Sequence, residues 1–120
     1  MSNFRVTLFA VAVAVVSLTA ILTVIFNNKE PVYKPGVYAD VDRAVNQAKL
    51  IYNQAKSLGQ DLSSGPCLSN ALLPGWVVDI AHNPRLPIDD LPENQCSAIR
   101  EGQANHFVEL DPDGKLIKVK

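Results

Sequence analysis

The chain is poor in several of the residue types that carry chemistry. Two cysteines, two histidines, one tryptophan and eight aromatic residues are spread over 120 positions, and none falls in a C-x-x-C or zinc-knuckle spacing. Basic residues are equally thin. C-terminal to Phe26 there are 10 Lys and Arg against 12 Asp and Glu, a net charge of −2, with no basic stripe to follow a phosphate backbone. That excludes a nucleic-acid function on electrostatic grounds. No glycine-rich phosphate loop or catalytic signature is present, so the sequence points to placement and architecture before it points to activity.

What is present in abundance is apolar sequence at one end. Val6 to Phe26 reads VTLFAVAVAVVSLTAILTVIF, 21 residues without a charge, a Gly or a Pro. At about 1.5 Å per residue such a helix is roughly 31 Å long, against a hydrocarbon core of about 30 Å. The remaining ninety-odd residues are too few to surround it as a core helix. A cleaved secretory signal is the closer rival, with Arg5 as its positive end and Leu18-Thr19-Ala20 as a cleavage site, but the apolar run continues through Phe26. Residues 1–26 are therefore expected to be a transmembrane anchor. Thr7, Ser17, Thr19 and Thr23 are expected to return their hydroxyls to the preceding turn. Ala10 and Ala14 have the spacing of a small-residue helix contact and also that of ordinary helix filler.

Charge hardly orients the anchor, because Arg5 and the N-terminal amine on one flank are balanced by Lys29 and Lys34 on the other. The cysteines decide it instead. Cys67 and Cys96 are an even pair, expected to form a disulfide, and such bonds persist outside the cytosol. The expected arrangement is a single-pass protein of the cell membrane with the N-terminus inside and the C-terminal domain outside.

Residues 27–38, with Pro31 and Pro35, read as a stiff stalk, and Tyr33 suits a headgroup-level position. The domain is expected over 39–120 and is assigned to the α+β class. Its long helix is predicted from Val41 to Leu58, capped by Asp40 and ended by Gly59, with an apolar face of Val41, Ala44, Val45, Ala48, Ile51, Tyr52, Ala55 and Leu58. From Asp61 to Asp90 six Pro and Gly residues predict an irregular middle, with a helical turn at Ser69–Leu73 and a short strand at Trp76–His82. A short helix is predicted to begin at Asp90-Leu-Pro-Glu93, to bury Leu91, Cys96 and Ile99, and to stop near Gly102. HFVEL, then Asp111-Pro-Asp-Gly114, then KLIKVK predicts a terminal β-hairpin. Leu110 should oppose Leu116 and Val108 oppose Lys118, with Phe107, Ile117 and Val119 on the other face.

Cys67, His82, Cys96 and His106 are nominally a zinc set, but 14, 13 and 9 intervening residues match no compact site. The same residues hold a conceivable Cys nucleophile and His base without local support. Asp111 and Asp113 read as turn residues rather than calcium ligands, and Asp90 as a cap. No metal and no cofactor is expected. Asp79, His82 and Arg85, in an apolar, Pro-bounded stretch beside Trp76, are the polar cluster that caps and turns leave over. A hydrogen-bonded core network is one meaning; a small-molecule site at Trp76, Asp79, His82 and Arg85 is the other. The functional expectation is a non-catalytic, membrane-anchored interaction or accessory-subunit domain whose partners are the bilayer and another membrane or extracytoplasmic protein. The alternatives are a pilin-like structural subunit and a small enzyme using the His82/Asp79 region.

Overall fold

The structure, a computed structural model, describes residues 2–27 and 33–120. Two compact units divide the chain near Pro31. The first is the helix α1, Ser2–Asn27. It is one helix long and apolar enough to cross a membrane, over Asn3–Thr23, and none of that stretch is buried among the described residues. The four hydroxyls turn inward as expected: Thr7 donates to the Asn3 carbonyl, Ser17 to Val13, Thr19 to Val15 and Thr23 to Thr19, at 2.7 to 2.9 Å. Each hydroxyl is thereby hydrogen-bonded within the helix itself.

The second unit is an α+β domain in which one helix packs on one face of a four-stranded sheet. Helix α2 runs Ala39–Ser57 and buries Ala44, Val45, Ala48, Tyr52 and Ala55. Small residues at three- and four-residue spacing let its axis lie close to the sheet. It starts earlier than predicted because Asp40 is not the cap. Tyr38 holds the N-cap position, Asp40 lies in the first turn 3.8 Å from Arg43, and Asp42 reaches back to accept the Gly36 N–H at 2.8 Å. At the other end Gly59, at φ +72°, donates to Lys56 and Gln60 to Ala55, which satisfies the last carbonyls. Leu58, predicted to face inward, is the C-cap residue and is exposed.

The sheet has the order β1-β2-β3-β4. Strands β1 (Cys67–Leu73) and β2 (Trp76–Ile80) form a hairpin about Pro74-Gly75, β2 pairs in parallel with β3 (His106–Leu110), and β3 returns antiparallel as β4 (Leu116–Val119). The helical turn predicted at Ser69–Leu73 is therefore a strand. Its sequence, CLSNALL, does not alternate because β1 is an edge strand with register shifts on either side of Ser69. The irregular middle is half of the sheet.

The short helix predicted from Asp90 is also corrected. A 3-10 turn occupies Pro87–Asp90, ending where the helix was to begin, and helix α3 is only Ser97–Arg100. Asp90 is no cap: its carboxylate pairs with Arg85. Cys96 is buried as predicted, but Leu91 and Ile99 stay about two-fifths exposed. The terminal hairpin forms, with Asp111 Oδ1 accepting the Asp113 and Lys115 N–H groups and Gly114 at φ +85°. Leu110 opposes Leu116 as predicted. An extra residue at Ile117 then shifts the register, so Val108 faces Val119 rather than Lys118, and Val119 turns to the helix side. Tyr52 ties the hairpin to α2 by donating to the Pro112 carbonyl at 3.0 Å.

Alternation divides the sheet. Trp76, Val78, Ile80, Val108 and Leu110 face α2 and form the main core. Val77 and Phe107 face the other way, with Cys67, Cys96, Ala98 and Ala104. The Cys67–Cys96 disulfide belongs to this second face and fastens edge strand β1 to the segment that enters α3.

Candidate functional site

Strands β2 and β3 have matching sequences when read in parallel. Trp76-Val77-Val78-Asp79-Ile80 aligns residue for residue with His106-Phe107-Val108-Glu109-Leu110, and these are the Cα partners in the sheet. Each strand carries one acid at its fourth position, and the register places the two acids side by side on the face away from α2. Between the strands and α3 lies an open cleft of about 180 Å³. Val77, Ile99 and Phe107 form its apolar part; Asp79, Arg85 and Glu109 form its polar end.

Arg85 organises that end. Its Nε donates to Asp90 Oδ1 at 2.8 Å and its Nη1 to Glu109 Oε1 at 3.1 Å, so one guanidinium bridges the loop after β2 to strand β3. Asp79 receives none of these donors, and its Oδ1 is buried with no hydrogen-bond partner among the described residues. Burial and the neighbouring Glu109 carboxylate push its pKa up from 3.8 to about 7, with Arg85 pulling weakly the other way. The Asp79 carboxyl thus exchanges its proton near neutrality at the end of an apolar cleft.

His82 lies apart from Asp79. Its ring Nδ1 meets Asp89 Oδ1 at 2.8 Å, while Asp89 Oδ2 accepts the backbone N–H groups of His82 and Leu86 at 3.0 and 2.8 Å. Asp89 is only 1% exposed. Burial works to raise its pKa, yet the Leu86 amide, the His82 ring and the His82 amide together hold it below the ordinary value. A Cβ on Gly65, at φ +70°, would run into this carboxylate and lie 3.1 Å from the Ile80 carbonyl. The His82–Asp89 pair is thereby a structural clasp between the end of β2 and the loops beside it, and among the described residues no nucleophile hydrogen-bonds to the His82 ring.

Trp76 is on the helix side of the sheet, 8% exposed, stacked on the His106 ring at 4.7 Å between centroids. Of the four residues singled out from sequence, the fold brings Asp79 and Arg85 into one cleft and sends His82 and Trp76 elsewhere. Sequence reasoning missed Glu109, Phe107 and Ile99 as lining residues, and Asp89 as the centre of the clasp. The signal for Glu109 was available in the repeated pattern of two five-residue strands, each with an acid at its fourth position between apolar residues. Among the described residues no group of three or more His, Cys, Asp or Glu converges as a metal site, and both cysteines are committed to the disulfide.

No family model, curated protein or solved structure matches this chain.

The cleft has the size of a single side chain or a small ligand, an apolar floor and one carboxyl poised between its two protonation states.

Proposed function

We propose that this chain is a non-catalytic, membrane-anchored interaction domain, an accessory subunit held at a membrane surface by α1 with its disulfide-bonded domain on the extracytoplasmic side. The observation that carries the reading is the uncovered apolar stretch Asn3–Thr23. In water its side chains would expose a continuous hydrophobic surface that none of the described residues buries, and a lipid environment removes that cost. The disulfide supports the outside placement, since a bond between Cys67 and Cys96 is maintained only in an oxidising compartment. The cleft beside Asp79 supplies a surface for a partner.

Two measurements test this together. Membranes from cells producing the full chain are extracted with alkaline carbonate, and intact cells or spheroplasts are treated with protease. The expected result is retention of the chain in the membrane and removal of the domain by external protease. Solubilisation, or a domain shielded until the membrane is opened, overturns the anchor or the orientation respectively. A photocrosslinker placed at Ile99 is expected to give a defined adduct that the same probe at Leu58 does not.

A pilin-like structural subunit is the second reading, favoured by an apolar N-terminal helix in a chain whose next helix packs on a disulfide-bonded sheet. N-terminal sequencing separates the two, because the filament reading requires processing just ahead of the apolar run.

A further inference from the structure

The beginning of the domain presents apolar side chains to solvent where a stable fold has no need to. Val37 and Tyr38 are 56% and 69% exposed. They are held in that posture rather than left to collapse. Gly36, at φ +83° with open space where a Cβ would stand, donates its N–H to Asp42 and fixes the turn that projects them, while Tyr33 packs against the core cluster behind it. Two shallow hollows, of about 360 and 470 Å³, meet at Tyr38 and Val41. Lys34 and Val119 border the first, and His106 and Lys120 border the second. The exposed face therefore combines an aliphatic residue, tyrosine and lysine, the combination that settles at a membrane–water boundary with rings at headgroup depth and ammonium groups on phosphates. Two acids stand beside it: Asp40, which already neighbours Arg43, and Asp42, which accepts the Gly36 N–H.

Chain length selects the occupant. From Asn27, the last residue of α1, to Tyr33 there are six peptide links, which reach at most about 21 Å. A tether that short keeps this end of the domain permanently near whatever surface holds α1, at an effective concentration no free protein partner matches.

We infer that the face formed by Lys34, Val37, Tyr38 and Lys120 docks on the bilayer in which α1 is anchored, and that its ligand is the headgroup region of anionic phospholipid. The inference rests on the membrane-anchor reading above. Docking of this kind fixes which side of the domain points away from the membrane.

The full chain reconstituted into vesicles of phosphatidylcholine and phosphatidylglycerol, three to one, with brominated acyl chains, tests it. Tyr38→Trp and Leu58→Trp are compared, the native chain with Trp76 alone serving as the blank. Positions 38 and 58 cap the two ends of helix α2, so the two probes stand about 30 Å apart along its axis. The expected result is bromine quenching of the added emission at least twofold greater at position 38 than at 58, reduced toward equality by Lys34→Glu with Lys120→Glu. Equal quenching at the two positions, in protein that floats with the vesicles, overturns the docking face alone and leaves that surface to a protein. Failure to float overturns the anchor and the docking face with it.

Discussion

Replacing Asp79 with asparagine isolates the electrostatic cost built into the cleft. The native carboxyl has a pKa of about 7 in the folded domain against 3.8 ordinarily, a difference of about three pH units. In the unfolded chain it ionises near pH 4, while in the fold it keeps its proton until about pH 7. Folding therefore takes up a proton in that interval, and stability falls as pH rises from about 4 to 7, then levels off. At about 1.4 kcal/mol per unit the ceiling on that loss is about 4 kcal/mol. Asp79 borders an open cleft and solvent screens part of the effect, so a loss of about 1–3 kcal/mol is expected. Asparagine has nearly the same shape and no charge to desolvate. Asp79→Asn should match the native protein near pH 4 and exceed it by about 1–3 kcal/mol at pH 8. Guanidinium unfolding at a series of pH values measures this, with emission of Trp76, the sole tryptophan, reporting the core around it. Parallel stability profiles for the two proteins between pH 5 and 8 would refute the reasoning.

Three further perturbations address the scaffold, all read by the same unfolding assay unless stated. Gly114→Ala forces a left-handed φ of +85° on alanine and drives its methyl into the Tyr52 ring, so a loss of about 2–4 kcal/mol is expected; a loss below about 0.5 kcal/mol would mean the turn does not press on α2. Asp89→Ala strips the acceptor from two backbone amides and the His82 ring and should cost about 3 kcal/mol above pH 5. Because the Asp89 pKa is lowered, its contribution is complete above 3.8 and fades as pH falls further, so native and variant stabilities should converge in acid. Cys67→Ser opens a loop closed across 29 positions and should cost roughly 3–4 kcal/mol by chain entropy, while non-reducing electrophoresis loses the compact oxidised band.

Local chemistry was legible in the sequence wherever it was decided locally. The helix-ending glycine at 59, the Asp111-Pro-Asp-Gly114 turn, the hydroxyl bonds of α1 and the apolar face of α2 all depend on residues within about one or two turns of each other. The Cys67–Cys96 pairing also followed from a count of two. What escaped is non-local or masked by local exceptions. Strand β1 reads as a turn because bulges at an edge erase its alternation, and its strand character comes from β2 beside it. Helix α3 shrank because Asp90 is drawn to Arg85, leaving Asp89 to meet the Leu86 amide at the start of the 3-10 turn. The site was half legible for the same reason. Asp79 and Arg85 stood out as unassigned polar residues, but period-two alternation sends Trp76 to the opposite face, and Glu109 joins them only through a parallel pairing thirty residues away.

That parallel pairing bears on how the domain reaches its native state. Each hairpin closes over a few residues, whereas the junction between β2 and β3 joins positions thirty apart and carries the slow, entropically expensive step of assembly. The covalent bridge changes that distance. With Cys96 tied to Cys67, the β1–β2 hairpin is already linked to a point ten residues before His106, a threefold shorter loop, worth about 1 kcal/mol of closure entropy. Oxidation is thus a kinetic device as well as a staple. A chain whose thiols join early finds its central strand pair several-fold faster, and spends correspondingly less time with β2 and β3 as open edges.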